Sequence, residues 1–126
     1  MIKKILLDTN FLLIPAKFNV DIFSEIERIC HFNYELCILD RSVEELEKIK
    51  NTKKDKNSIY AKLALALLKN KKIKVIKMKS AENVDDLILG LDGYIVATQD
   101  KELADKLKEK EVALIALRQK KYLILK

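Results

Sequence analysis

Hydrophobic residues recur along this chain in two alternating patterns. Short, largely apolar runs rich in β-branched side chains occur at Ile2 to Leu7, Glu35 to Leu39, Lys72 to Ile76, Tyr94 to Thr98 and Val112 to Leu117. Runs of this length, bounded by polar residues, read as strands buried on both faces. Between them the apolar spacing changes to that of helices. Asp21 to His31 places Ile22, Phe23, Ile26, Ile29 and Cys30 along one stripe, and Ser42 to Lys50, Asn83 to Leu91 and Asp100 to Lys110 follow the same rule. Ser58 to Leu68 is so rich in alanine and leucine that burial around most of its circumference is expected. Tyr122 to Leu125 adds a short edge strand. Strands separated by helices imply right-handed crossovers, and hence an α/β fold of three α/β/α layers around a mainly parallel sheet of about five strands.

Composition narrows the picture. The 126 residues fit one domain, 1–126, able to bury a core without disulfides, and 49% hydrophobic residues with two glycines and one proline describe a chain dense in regular elements. No apolar stretch approaches the roughly 18 residues of a membrane span, and the N-terminus lacks the apolar region of a signal peptide. A cytoplasmic protein with no membrane partner is expected. Cys30 and Cys37 match no metal or redox spacing and read as buried small hydrophobes. The single His31 excludes a paired-histidine nuclease mechanism within one chain and reads as a surface residue at a helix end.

The net charge of +6 favours a polyanionic partner. Three of the 25 basic residues are arginine, Arg28, Arg41 and Arg118. Lysine holds phosphate as a mobile point charge, whereas reading of base edges prefers arginine, so the balance leans toward backbone contact. Lys69, Lys71, Lys72, Lys74, Lys77 and Lys79 crowd around the third strand, where they either guard a sheet edge against aggregation or track phosphates. Lys53, Lys54 and Lys56, in the polar loop Asn51 to Asn57, are further candidates for contact with RNA.

Carboxylates recur at or just past strand–helix or loop–helix junctions. Asp8 follows the first strand; Glu45 lies in Ser42-Val43-Glu44-Glu45; Asp85 and Asp86 open a helix; Asp100 follows the fourth strand. Each has a purely structural alternative. Asp8 or Asn10 could cap the next helix, Ser42-x-x-Glu45 is a capping box, Asp85 and Asp86 suit the positive end of a helix dipole, and Asp100 is an N-cap. Taken together they point elsewhere. In a parallel sheet these junctions open on one edge, so the acids gather in one cleft and repel each other. Oxygen donors without histidine or thiolate call for Mg²⁺ or Mn²⁺ rather than zinc.

Four segments resemble the PIN-domain nucleases in order and spacing: DTNFLL after the first strand, SVEELEK opening the third helix, VDDLIL before the fourth strand, and YIVATQDKELADKL running into the last long helix. ELEK and the last two segments look closest to the branch containing the rRNA-processing PIN protein of the small-subunit processome. The VapC-type nucleases of toxin-antitoxin pairs are a more distant match. The resemblance implies an endoribonuclease that uses Mg²⁺ or Mn²⁺ to direct water onto RNA phosphodiesters. It places the catalytic, metal-binding acids at Asp8, Glu45, Asp85 and Asp100, with Asp86 the alternative to Asp85, and supporting polar groups at Thr9, Asn10 and Thr98. Zinc-knuckle cysteines and long family extensions are missing, so selection of RNA would fall to the domain itself, a homodimer, an antitoxin or a ribosome-biogenesis partner. A non-catalytic PIN-fold module that binds RNA or helps ribosome assembly is the alternative. Receiver and haloacid-dehalogenase domains also place an aspartate after the first strand, but Asp8-Thr9-Asn10 lacks the second carboxylate of the latter, and Lys77-Met78-Lys79 stands where a receiver needs its phosphoacceptor.

Overall fold

A computed structural model describes residues 1–52 and 55–126. Strands β1 (Lys3–Leu7), β2 (Tyr34–Leu39), β3 (Ile73–Ile76), β4 (Tyr94–Ala97), β5 (Leu114–Arg118) and β6 (Tyr122–Leu125) form one sheet in the order β3-β2-β1-β4-β5-β6. The first five are parallel, and β6 returns antiparallel along β5. A 3-10 helix (Thr9–Leu13) runs into α1 (Ile14–Phe18) and is followed by α2 (Ile22–Ile29), α3 (Asp40–Asn51), α4 (Lys56–Asn70), α5 (Val84–Leu89) and α6 (Lys101–Glu109). The expected three-layer α/β/α arrangement is present.

Strand alternation divides the core in two. Ile5, Leu7, Ile38, Ile95, Ala97 and Ile115 face one layer, where they meet Phe11, Ile14, Ile22, Ile26, Leu46, Ala61 and Ala64. Leu6, Cys37, Leu39, Val96 and Leu114 face the other, against Val84, Leu87 and Ile88 of α5 and Leu103 and Leu107 of α6. Successive residues of β1 thus serve opposite layers, as the two-residue strand period requires. Cys30 and Cys37 are buried free thiols, and His31 is exposed. No helix among the described residues is long and apolar enough to cross a membrane.

The connections fix where a site can form. The chain leaves β1 toward β2 on one side and reaches β4 on the other, so the carboxyl ends of β1 and β4 flank the point where strand order reverses. Crevices open at such points because the adjoining connections diverge to opposite sides of the sheet.

Two details differ from the sequence-based expectation, and a third, a turn, goes beyond it. Helix α3 begins at Asp40 rather than Ser42, which puts Ser42 inside the first turn, fully buried and with its hydroxyl unpartnered. The capping box at Ser42 and Glu45 therefore does not form. Helix α4 is also less buried than its composition implies. It turns Ala61 and Ala64 inward while Ile59 and Leu63 remain 58% and 49% exposed, because α3, α1 and the 3-10 helix pack on its inner side alone. Finally, Gln119, Lys120 and Lys121 link β5 to β6; the first two have φ of 52° and 55°, and Lys121 N donates to Arg118 O at 3.0 Å. Two successive left-handed residues make this tight turn, built without the glycine or asparagine that adopts that conformation at least cost.

The two sheet edges are treated differently. At β6, Leu123 N donates to Glu25 Oε1 at 2.9 Å and Arg28 Nη2 donates to Leu123 O at 3.0 Å, so an ion pair on α2 occupies the outward backbone groups of that strand. At β3, Lys72, Lys74 and Lys77 stand exposed around an open edge, where their charge opposes pairing with another strand.

Ile26→Ala should destabilise the protein by about 2–5 kcal/mol, since Ile26 is fully buried between α2 and the sheet. Ile59→Ala, on the outer side of α4, should change stability by no more than about 0.5 kcal/mol. Urea unfolding of the two variants checks this, and a large loss from Ile59→Ala would show that the outer side of α4 is covered in solution.

Candidate active site

Asp8 directly follows the last residue of β1, and its backbone N–H donates to Ala97 O of β4 at 2.9 Å, which locks it into the central crevice. Its side chain is only 4% exposed. Thr9 N donates to Oδ1 at 2.8 Å and Thr98 Oγ1 donates to Oδ2 at 2.7 Å. Asp8 thus caps the 3-10 helix with one oxygen while the other faces Thr98, and each oxygen keeps a lone pair for a further partner. Burial drives the Asp8 carboxyl up from 3.8 to about 6. The Thr98 and Thr9 hydrogen bonds oppose this rise, while the negative charges of Asp85 and Glu45 add to it.

Glu45 reaches the same place from the second turn of α3. Thr9 Oγ1 donates to Glu45 Oε1 at 2.6 Å, so Thr9 addresses both acids, Asp8 through its backbone N–H and Glu45 through its hydroxyl. Asp8, Thr9, Asn10, Leu13, Glu45, Ile49 and Asp85 line a cleft of about 240 Å³. No lysine or arginine is among them. Asp85 lines the cleft, whereas Asp86 lies outside that lining and its backbone N–H donates to Asn83 Oδ1 at 2.9 Å. Burial first, then the charges of Asp100 and Glu45, raise the Asp85 carboxyl above its ordinary value.

Asp100 stands beside this cleft rather than in its lining. Its Oδ1 accepts from Leu103 N at 3.1 Å as the N-cap of α6, and its backbone N–H donates to Thr98 Oγ1 at 3.0 Å. The capping role expected for Asp100 is real, and the charge of Asp100 still reaches Asp85. Asn10 serves architecture: its Oδ1 accepts from Gln99 N at 3.3 Å and its carbonyl accepts from Gln99 Nε2 at 2.8 Å, joining the loops after β1 and β4. Gln99 was not among the expected site residues, although its position between Thr98 and Asp100 is the signal for it. Asp40 was also missed. It is the acid that directly follows β2, and it accepts from Met78 N at 3.3 Å to hold the loop after β3. Of the lysines proposed to meet RNA, Lys56 is exposed in the first turn of α4, and Lys53 and Lys54 lie outside the described residues.

The donors are suited to a hard divalent cation, because all are oxygen and two carboxyls, Asp8 and Asp85, are raised by burial and then by neighbouring negative charges. Among the described residues, no three His, Cys, Asp or Glu side chains form a closed ion cage. An ion that keeps most of its water shell, as Mg²⁺ does, needs one or two direct carboxylates, with the others reached through water. Asp8 with Glu45 or Asp85 meets that demand.

A family model for the PIN like domain matches residues 5–120. Ribonuclease VapC4 of Methanocaldococcus jannaschii is 38% identical over 125 residues, covering 94% of this chain and 93% of that protein. Among solved structures, the PIN domain endonuclease Utp24 superimposes with a TM-score of 0.80 at 21% identity, covering 98% of this chain and 90% of the other, a likeness of fold. The acid-lined crevice thus lies within the matched residues, and the chain belongs to the PIN-like domain family.

Proposed function

We propose that this chain is a divalent-metal-dependent endoribonuclease that hydrolyses RNA phosphodiester bonds, with Mg²⁺ or Mn²⁺ held by oxygens of Asp8, Glu45, Asp85 and Asp100. The observation that carries the reading is a buried aspartate facing two further carboxylates across a cleft that, among the described residues, no basic side chain lines. Such a cleft invites a cation from solution. The ribonuclease name of the 38% identical relative supports RNA as the substrate. When bound, the ion neutralises the carboxylates and lowers the pKa of its water.

The protein's own groups have separate tasks. Thr98 and Thr9 hold the carboxylates of Asp8 and Glu45 in fixed orientation through short hydroxyl hydrogen bonds. The Asn10–Gln99 contacts keep the loops after β1 and β4 at constant separation. One of the four carboxylates takes a proton from the attacking water, a role that a raised pKa brings closer to neutral pH. A homodimer, an antitoxin or a ribosome-biogenesis partner would then choose the RNA, in a cytoplasmic setting.

Asp8 also links the reading to stability. Its pKa is higher folded, at about 6, than the ordinary 3.8, so between those values the native state binds more protons than the unfolded state. The stabilising contribution of protonated Asp8 is complete below the lower value and lost as pH rises through the upper one. The difference corresponds to about 3 kcal/mol.

Melting temperature of the metal-free protein, measured against pH, should therefore fall between about pH 4 and pH 6.5 relative to Asp8→Asn, and that variant should be the more stable at neutral pH. Mn²⁺ should raise the melting temperature of the wild type and do so far less for Asp8→Asn, because the ion binds the folded state. An equal metal response in both would remove Asp8 from the ligands.

Purified protein should cut single-stranded RNA with Mn²⁺ and stop on addition of EDTA. Glu45→Gln should lower cleavage about 100-fold or more while melting nearly as the wild type does, since an amide oxygen still accepts from Thr9. Full activity in Glu45→Gln would reduce Glu45 to a structural acceptor, and RNA binding by the wild type without cleavage would favour the non-catalytic PIN-fold reading.

A further inference from the structure

Next to the acidic cleft lies a larger groove of about 680 Å³ between α6 and the β5–β6 hairpin, with Phe18 at its side. Among the described residues its lining includes Lys101, Lys108, Arg118, Lys120 and Lys126 against one acidic side chain, Asp105. The cations come from three places in the chain, the exposed side of α6, the end of β5 with its turn, and the end of β6, so the fold gathers them from distant sequence. Their closeness is felt at Lys126, whose ammonium is held below its ordinary value by burial and then by the charges of Arg118 and Lys108. The turn contributes through its unusual backbone. Left-handed φ at Gln119 and Lys120 brings the Lys120 Nζ to 5.7 Å from the centre of the Phe18 ring, at the border of the groove.

The groove and the cleft share a boundary. Thr98 and Gln99 line the groove, while Thr98 donates to Asp8 and Gln99 bonds to Asn10 in the cleft wall. A chain lying in the groove would thus pass directly into the acid site.

We propose that this groove is the track along which a single-stranded RNA leads into the acidic cleft, with Lys108, Arg118 and Lys120 holding its phosphates. The proposal rests on the nuclease reading above and adds where the substrate lies. Four lysines to one arginine suit backbone phosphates over base edges, so binding is largely independent of sequence. The groove is of the volume of a small-molecule pocket, room for a few nucleotides of one strand. The lysines around β3, at the opposite edge of the sheet, lie away from this path.

The test uses Asp8→Asn protein, which keeps the RNA intact, and measures affinity for an unstructured RNA oligonucleotide at several salt concentrations. Adding Lys108→Gln, Arg118→Gln and Lys120→Gln should weaken binding at least about 10-fold at low salt and flatten the plot of log affinity against log salt by about 2, the release expected from three lost phosphate contacts on a single strand. Removing equal charge with Lys72→Gln, Lys74→Gln and Lys77→Gln should leave the slope unchanged. Poly-glutamate of matching charge should compete poorly. Equal loss in the two triple variants, loss in the β3 variant alone, or equal competition by poly-glutamate would each overturn the proposal. If the groove triple melts early, Lys108→Gln and Lys120→Gln alone should each flatten the slope by about 0.7, and an unchanged slope in both would overturn it as well. Binding is measured without turnover, so an inactive wild type would overturn the nuclease reading, while the salt slopes alone decide whether RNA follows the groove.

Discussion

The site depends on one carboxylate kept out of water at the end of a central strand. Placing Asp8 there costs free energy, since burial disfavours its charged form and Glu45 and Asp85 add repulsion. Two hydrogen bonds offset part of that cost, one from its own helix turn and one from Thr98 across the β1–β4 pair. Everything nearby is consistent with holding this arrangement: the sheet fixes the backbone of Asp8 through Ala97, Thr9 holds Glu45, and the Asn10–Gln99 contacts join the two loops. Stability given up at a polar site is recovered in the two apolar layers on either side of the sheet.

Capping and function turn out to be compatible uses of the same residue. Asp8 and Asp100 each commit one oxygen to the first turn of a helix; the other oxygen of Asp8 accepts from Thr98 and keeps a lone pair. A cap fixes a carboxylate's rotamer, and a fixed rotamer loses less entropy when a ligand arrives. Opposing the two roles at Asp8 and Asp100, as the sequence invites, sets up a choice that the geometry does not require.

The strands, the helices and the three-layer class were legible because apolar periodicity is a local property that burial on both faces of a sheet demands, while the order of the strands was not. Asp8 and Thr98 were legible for a related reason: they stand next in sequence to the ends of β1 and β4. Glu45 was harder. The capping box offered as its alternative role does not form, because its helix starts at Asp40, and a contact spanning 36 residues to Thr9 gives its direction. The exposed outer side of α4 was invisible because composition records how apolar a helix is, not how many neighbours it finds. The basic groove was likewise hidden, since its cations become neighbours only through the β5–β6 hairpin and α6.

The unequal sheet edges limit how copies of this protein can associate. With the outward groups of Leu123 occupied by Glu25 and Arg28, backbone pairing at mid-strand in β6 is obstructed, and β3 is the more open edge. A sheet with one open edge can join a second across a two-fold axis, edge to edge, and there the growth stops, because no matching edge is left for a third. Strand pairing between folded molecules would therefore end in a closed pair rather than a fibre.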